Sequence, residues 1–412
     1  MSDYQITIDD EALHGLLSGS AGESGLKTLL EQVLNQVLEA QVSEQIGAAR
    51  YERNEERQGY RNGVRLRRLT TRVGALTLRV PQVRDGEFST ELFAHYQRSE
   101  QALVLALMEM VVNGVSTRKV SQITEELCGA SFSKSTVSAL CAQLDPLVTA
   151  WNERPLSEQA FPFVLVDALV LKVREDERVR ALSGLLAIGV NAAGAREILG
   201  LQLGDSESEA SWSGFLSWLK RRGLAGVDLV VSDAHGGLTS ALQRHFQGAT
   251  WQRCQTHLTR DVMDVTPKAA REELHEHLRS LFEAPDLATA RTLLRQITDT
   301  FTARASKAVA VLEAGFDDAT AVLALPDPYR RRLRTTNSVE RLNEEIRRRE
   351  RVIRIFPNRA STIRLLGALL LEQHEQWTTG HHYLDMTAYW QWREPPAQQT
   401  LFGQEAPMLQ PA

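Results

Sequence analysis

Three carboxylates in this sequence stand where an ordinary core or surface has little use for them. Asp167 lies inside the apolar run FVLVDALVLKV, and an ionised side chain buried there costs several kcal/mol unless a partner or a metal ion compensates it. Asp233 comes one residue after the run VDLVV, with Ser232 between, at the carboxyl end of a strand and ahead of a helix, where open α/β sheets place their sites. Glu340 comes more than a hundred residues later, on a helix. If the strands carrying the two aspartates are neighbours, a helix packed alongside brings in the glutamate, and three such oxygen donors suit Mg²⁺ or Mn²⁺. Two ions about 4 Å apart would activate an attacking water or 3′-hydroxyl and stabilise the leaving oxygen of an in-line displacement at phosphorus. Each residue also has a plainer use. Asp167 could pair with Lys172 or a buried arginine, and Asp233 could cap the next helix. Glu340, three residues after Asn337, has the spacing of a capping box. The joint placement of the three is what points to metal-assisted phosphodiester chemistry.

The elements that must position them follow from pattern. FVLVDALVLKV, VRALSGLLAIGVN and REILGLQLG are apolar runs of strand length separated by charged or Gly-containing breaks. A Trp-rich helix, ASWSGFLSWLKRRG, a fourth strand, VDLVVSD, a helix near Leu238 to Phe246 and a short segment TWQRC come next. A three-stranded meander leading into helix-strand crossovers predicts a mixed α/β sheet of the ribonuclease-H type. From Pro267 to about Val322 the sequence is helix-like and polar, an all-α insertion. Pro326 and Pro328 then break the chain, and TTNSVERLNEEIRRRERVIRIF is a helix expected to start at Asn337. After about Glu394, PPAQQ and PMLQPA read as a disordered tail.

Ahead of the sheet, Leu26 to Ile46 carries apolar residues at three- and four-residue steps, an amphipathic helix suited to core packing or to a partner contact. GVRLRRLTTRVGALTLRVPQVRDG reads as short basic strands around turns at Gly74, Pro81 and Gly86. Gln101 to Leu147 reads as three helices opening near Gln101, Ser116 and Ser133, with Gly129 between the last two. The GASF connection fits a helix-turn-helix whose third helix enters a major groove, although any small helical bundle has this pattern. The expected organisation is an N-terminal helical region at 1–50, a basic β segment at 51–100, the helix-turn-helix domain at 101–155, a catalytic domain in two parts at 156–266 and 331–378 around the insertion at 267–330, and a tail at 379–412.

The chain has 412 residues, 43% of them apolar and 24% charged, with a formal net charge of −5. The total therefore does not mark a nucleic-acid binder; the distribution does. About ten arginines lie between Arg50 and Arg84, and a second cluster runs from Arg330 to Arg354. Each could neutralise several phosphates of double-stranded DNA. Arg61, Arg65, Arg67, Arg68, Arg72, Lys134, Ser135, Arg347 and Arg348 are the candidate DNA contacts, with a solvated surface as the alternative. Three cysteines in unlike contexts argue against a disulfide framework. The acidic N-terminus and the short apolar runs predict a cytoplasmic, nucleoid-associated protein without a membrane segment.

VDALVLKVRE, REILG followed by SESEASWSGFLSWLKRRGL, VSDAHGGL, QRCQTHL and TTNSVERLNEEIRRR with FPN after it resemble the Mutator-type transposases of bacterial insertion sequences. The likeness extends forward through SKSTVS, NGVSTRKV, LTTRVGALTLRVPQVRDGEF and YRNG, so it runs in order from about Tyr60 to Leu371. It implies a ribonuclease-H-like catalytic domain with an all-α insertion before the glutamate, and a DDE triad that falls on Asp167, Asp233 and Glu340, all intact. It further implies divalent-metal-dependent cutting at terminal inverted repeats and joining of the freed 3′ ends to target DNA. Cys254 and His257 form the C-x-x-H element that the resemblance places after the second aspartate. As zinc ligands they are incomplete, since a full site needs four groups and the spacing to His275 and His277 matches no zinc finger. His257 is expected beside the metal site, orienting a phosphate or a carboxylate, with a buried, hydrogen-bonded histidine as the alternative; His235 is a weaker candidate of the same sort. Transposases bring two DNA ends together, so a homodimer or larger assembly is expected. A non-catalytic DNA-binding regulator built on the same N-terminal module, and a nuclease that cuts without joining, stay open at this point.

Overall fold

A computed structural model describes residues 6–8, 22–53, 55, 57–84, 88, 90, 92, 99–128, 132–380 and 382–393. Gly86, Gly129 and the tail after residue 393 lie outside the described residues. The chain divides into two compact units, residues 1–144 and 145–412. Among the described residues no helix is long and apolar enough to cross a membrane.

In the first unit, helix α1 (Gly22–Ile46) packs on a hairpin of β1 (Arg61–Thr71) and β2 (Gly74–Val83). Leu38 of the helix is buried with Leu69, Leu76, Leu78 and Val80 of the strands. Polar residues of α1 also satisfy the edge of β2: Thr77 N–H donates to Glu31 Oε1 at 2.6 Å and Arg79 N–H to Asn35 Oδ1 at 2.7 Å. An edge covered in this way is not free to pair with another strand. The sequence led us to expect short strands interrupted at Pro81, but β2 continues through it, with Pro81 opposite Val64. A two-stranded sheet leaves one side of each strand without a ladder, so a missing N–H there is tolerated.

Helices α2 (Gln101–Val112), α3 (Thr117–Cys128) and α4 (Lys134–Cys141) follow. Leu103, Leu107, Val120, Phe132 and Val137 form their shared core. Ser116 and Ser133 do act as caps, accepting from Lys119 N–H at 3.3 Å and Thr136 N–H at 3.1 Å.

The second unit is a mixed α/β structure with a largely helical content. It opens with α5 (Asp145–Asn152) and then β3 (Phe163–Glu175), β4 (Arg178–Val190) and β5 (Arg196–Gly204). Helix α6 (Glu209–Arg221), β6 (Leu229–Ser232), α7 (Gly236–His245) and β7 (Thr250–Arg253) come next. The sheet order is β5-β4-β3-β6-β7; β3, β4 and β5 form an antiparallel meander, and β6 and β7 run parallel to β3. One sheet face buries Val164, Val166, Leu185 and Leu199 against Trp212, Phe215 and Leu216 of α6 and Leu238 and Leu242 of α7.

From α8 (Gln255–Asp264) the described chain has no further strand. Helices α9 (Arg271–Phe282), α10 (Leu287–Thr320) and α11 (Asp327–Leu333) lead to α12 (Asn337–Ile353), α13 (Arg359–Thr379) and α14 (Thr387–Arg393). Leu258, Leu274, Leu278, Ile297, Phe301, Leu312 and Phe316 give the α8–α10 block a core of its own. Helix α10 is broken at Ala305, whose φ of −151° and ψ of 44° are not helical. α13 packs against β5, β3 and α5. Part of the stretch read as tail is built into the unit: Tyr389 of α14 is fully buried, with its ring centroid 4.8 Å from that of Phe163 in β3.

Candidate catalytic site

The register of the sheet sets the two aspartates side by side. Leu165 of β3 is the last residue paired with β6, opposite Val231. Asp167 on β3 and Asp233 just past the end of β6 each stand two residues beyond that rung. Asp167 remains within the β3–β4 ladder, opposite Leu186, so its backbone is fixed on one side. Its carboxylate is partly buried and accepts from Ala168 N–H at 2.8 Å and from Asn343 Nδ2 at 2.8 Å. Burial, reinforced by the charges of Asp233 and Glu340 and opposed by the Ala168 bond and His257, pushes the Asp167 carboxyl up to about 6.

Asp233 follows the fully buried strand β6. It accepts a 3.3 Å bond from His235 N–H, while the N-cap of α7 is His235, without a side-chain cap. The helix is therefore not capped by Asp233, and its carboxylate faces Asp167 and Glu207 electrostatically.

Glu340 enters on the first turn of α12, which runs alongside β3. Just after this helix, Phe356 N–H donates to Lys172 O at 2.8 Å and Arg174 N–H to Phe356 O at 2.9 Å, fastening the chain to the far part of β3. The capping box expected from Asn337 and Glu340 is absent. Asn337 is already helical, and the N-cap is Thr336, without a side-chain cap. Thr336 is instead held by Cys254, whose Sγ accepts from its N–H at 3.3 Å and its Oγ1 at 3.2 Å. Glu340 Oε1 is left buried without a hydrogen-bond partner, 3.8 Å from His257 Nε2.

His257 is raised to about 9, by the Cys254 sulfur first, against burial, and then by the charges of Cys254, Glu340 and Asp167. At neutral pH it is an imidazolium facing the carboxylates. Burial pushes the Cys254 thiol up, but the donors of His257 and Thr336 outweigh it and lower the group.

Two members of the site escaped the sequence reading. Asn343 lies one turn after Glu340 on the same helix face, so the i, i+3 spacing carried a signal. It is 7% exposed, and its Oδ1 has no partner. Glu207, just before α6, has its Oε1 3.8 Å from His235 Nδ1. Burial raises Glu207, His235 lowers it and Asp233 raises it. Gly237 explains how it reaches the site: a Cβ there would lie 2.6 Å from Glu209 N, so the loop before α6 rests directly on the first turn of α7.

The arrangement can hold a hard cation. Asp167, Asp233 and Glu340 supply anionic oxygens, and one buried carboxylate oxygen and one buried amide oxygen have no partner. Residues 1–380 match the family described as Transposase, Mutator family. The chain belongs to the Mutator family of transposases.

The transposase for insertion sequence element IS256 in transposon Tn4001 of Staphylococcus aureus is 44% identical over 379 residues, 92% of this chain and 97% of that one. The transposase for insertion sequence element ISRM5 of Rhizobium meliloti is 45% identical over 362 residues, 88% of this chain and 91% of that one. Among solved structures, the Mos1 transposase paired-end complex with left transposon end aligns over 39% of this chain and 60% of that chain, at 12% identity and a TM-score of 0.14.

In this Mutator-family transposase the candidate DNA contacts are divided between the two units. Arg65 and Arg68 are exposed on β1, and Arg67 is half-buried. Arg72 pairs with Glu100 at 3.0 Å. Arg61 is turned inward: its Nε lies 3.2 Å from Glu39, and it donates to Ser43 Oγ at 2.7 Å and Ala48 O at 3.1 Å. Beside it a groove of about 670 Å³ is lined by Arg50, Arg53, Arg57, Arg79, Tyr51 and Tyr60 among others. Lys134 and Ser135 are exposed on the first turn of α4. Arg347 and Arg348 are exposed on α12, with Arg348 3.2 Å from Glu345. Arg347 is seven residues from Glu340, which places it about 10 Å further along the same helix side.

Proposed function

We propose that this transposase cuts DNA at the terminal inverted repeats of an insertion sequence and joins the freed 3′ ends to target DNA, using Asp167, Asp233 and Glu340 as a DDE triad in a ribonuclease-H-like catalytic domain. The observation that carries the reading is that Asp167 on β3 and Asp233 just past the parallel β6 each stand two residues beyond the last β3–β6 rung, with α12 beside β3. The meander followed by two parallel strands supports the fold assignment.

The triad Asp167, Asp233 and Glu340 would hold Mg²⁺ or Mn²⁺, two ions in this reading. When bound, such ions supply the Lewis acidity that activates a water or 3′-hydroxyl and stabilises the leaving oxygen at phosphorus. Asn343 fixes the rotamer of Asp167 through its 2.8 Å bond, so one carboxylate oxygen is aimed before metal or DNA arrives. His257 sets positive charge beside Glu340, its Nε2 3.8 Å from Oε1. Arg347 extends that positive surface along α12 for the DNA backbone.

Recognition of the repeat ends falls to the first unit. Helices α2–α4 would act as the helix-turn-helix, with Lys134 and Ser135 at the groove-facing start of α4, and the β1 arginines would contact phosphates. Residues 267–330 would be the all-α insertion. Pairing of two ends calls for a homodimer or larger assembly, acting on nucleoid DNA in the cytoplasm.

A labelled repeat-end duplex incubated in Mg²⁺ with the native protein or with Asp233→Asn tests this reading, with binding followed separately by gel shift. Joined strands from the native protein, and normal binding without cutting or joining by the variant, are expected. If both bind and neither cuts, even with Mn²⁺ and a supercoiled substrate, the triad assignment fails. Cutting without joined products would make the chain a nuclease alone.

A further inference from the structure

One group of metal-ligating side chains among the described residues brings its donors close together, and it is not the three carboxylates. The ligand atoms of Cys254, His257 and Glu340 all lie within 4.8 Å of one another. Cys254 follows β7, His257 sits three residues on in the first turn of α8, and Glu340 lies in the first turn of α12. Glu340 Oε1 is buried without a hydrogen-bond partner, an expense that proteins seldom carry without a use. Cys254 is fully buried, and its sulfur is already oriented by the two donors of Thr336. Such outer donors commonly orient the ligands of a metal site.

The chemistry of this donor set differs from that of the triad. A sulfur and an imidazole favour Zn²⁺ over Mg²⁺, and three protein ligands with a fourth position open is a recurrent zinc arrangement. Zinc bond lengths of about 2.0–2.3 Å put neighbouring ligand atoms roughly 3.5 Å apart. His257 Nε2 and Glu340 Oε1, at 3.8 Å, nearly meet that already. Side-chain shifts of about an ångström would close the rest. Downstream histidines are not needed, because the third ligand comes from the helix that bears the catalytic glutamate.

We propose that Cys254, His257 and Glu340 form a site for a thiophilic divalent cation of the Zn²⁺ class, and that filling it draws Glu340 away from the hard-metal site and halts strand cleavage. Binding releases the Cys254 and His257 protons to solvent as the sulfur and nitrogen take up the ion. The first half of the proposal stands on the donor geometry alone; the second rests on Glu340 belonging to the triad.

Co²⁺ titrated into the metal-free full-length protein without DNA reports the site directly. The expected result is a sulfur-to-cobalt charge-transfer band that saturates at one ion per chain, resists excess Mg²⁺ and is displaced by Zn²⁺. Cys254→Ser should abolish the band, which separates this sulfur from the other cysteines, and His257→Gln should weaken Co²⁺ binding by about 10–100-fold. Thermal melting checks that each variant folds, and if Cys254→Ser does not, the His257→Gln titration decides. Absence of the band in the native protein, its survival in Cys254→Ser, or unchanged affinity in His257→Gln overturns the site. In Mg²⁺-supported cleavage, Zn²⁺ at ten times its dissociation constant should leave about one-tenth of the rate. Occupancy without inhibition removes the regulatory half. A native protein that shows the band but never cuts DNA points instead to failure of the triad reading.

Discussion

Asn343 on α12 donates to Asp167 on β3 at 2.8 Å, a single bond across 176 residues of sequence that ties the helix bearing Glu340 to the strand bearing the first aspartate. Removing the donor while keeping the volume, as in Asn343→Leu, leaves Asp167 held by Ala168 N–H alone and takes one oxygen from the site. Partners of metal-ligating carboxylates are worth about 10–100-fold in metal affinity or activity. Asn343→Leu should therefore raise the Mg²⁺ concentration for half-maximal cleavage by that order. An unchanged Mg²⁺ dependence would show that the bond is only structural.

Asp167 links the site to stability. Its folded value of about 6 lies above the ordinary carboxyl value of 3.8. The relative stability it contributes is thus fully present below 3.8 and lost as pH rises through about 6. About 1.4 kcal/mol per pKa unit makes the cost of the ionised group above pH 6 roughly 3 kcal/mol. Asp167→Asn cannot ionise and can keep a hydrogen bond to Asn343. In chelator at pH 8 it should melt several degrees above the native protein, at roughly 2–4 °C per kcal/mol, and Mn²⁺ should stabilise the native protein more than the variant. A variant that melts lower at pH 8 would mean the aspartate is compensated without metal.

The sheet and the aspartates were legible because their signals are local. Apolar runs with charged or Gly breaks gave the strands, and a carboxylate inside such a run drew notice at once. Asn343 and Glu207 were not legible in that way. A neutral amide on a charged helix violates no expectation, and Glu207 comes from a polar loop whose position depends on Gly237 meeting the backbone of the α6 loop. The helix starts at Asn337 as expected, but the capping box inferred from Asn337 and Glu340 does not form, for a tertiary reason: the N-cap is Thr336, which Cys254 holds. Helix α14 was missed because a seven-residue segment before a Pro-rich stretch has little periodicity, whereas its anchoring is long-range. Tyr389 N–H donates to Tyr329 Oη at 2.8 Å, and its ring lies against Phe163.

His374 makes acid stability testable. Ile198 N–H donates to its Nδ1 at 3.3 Å, and burial, with Arg154 adding to it, lowers the imidazole to about 4. The group folds neutral, so the stability it contributes is present above its ordinary value of 6.5 and is lost as pH falls through about 4. The loss amounts to at most about 3 kcal/mol. His374→Gln keeps an acceptor for Ile198 without the titration. Its melting temperature should fall less than that of the native protein between pH 6.5 and 4. Parallel curves would remove His374 as the cause.

Arg61 and its neighbours on β1 should part company in experiment. Arg61, whose side chain is 16% exposed, is committed to Glu39, Ser43 and Ala48, whereas Arg65 and Arg68 face solvent. Arg61→Ala removes the partner of Glu39 and the bonds to Ser43 and Ala48, and should cost about 1–3 kcal/mol of stability in thermal melting. Each phosphate contact contributes roughly one unit to the salt dependence of DNA binding. Arg65→Ala and Arg68→Ala should each lower the slope of log affinity against log salt by about one while leaving the melting temperature unchanged. The reverse outcome, a lower slope and full stability for Arg61→Ala, would require the α1–β1 junction to open when DNA binds, freeing the guanidinium from Glu39.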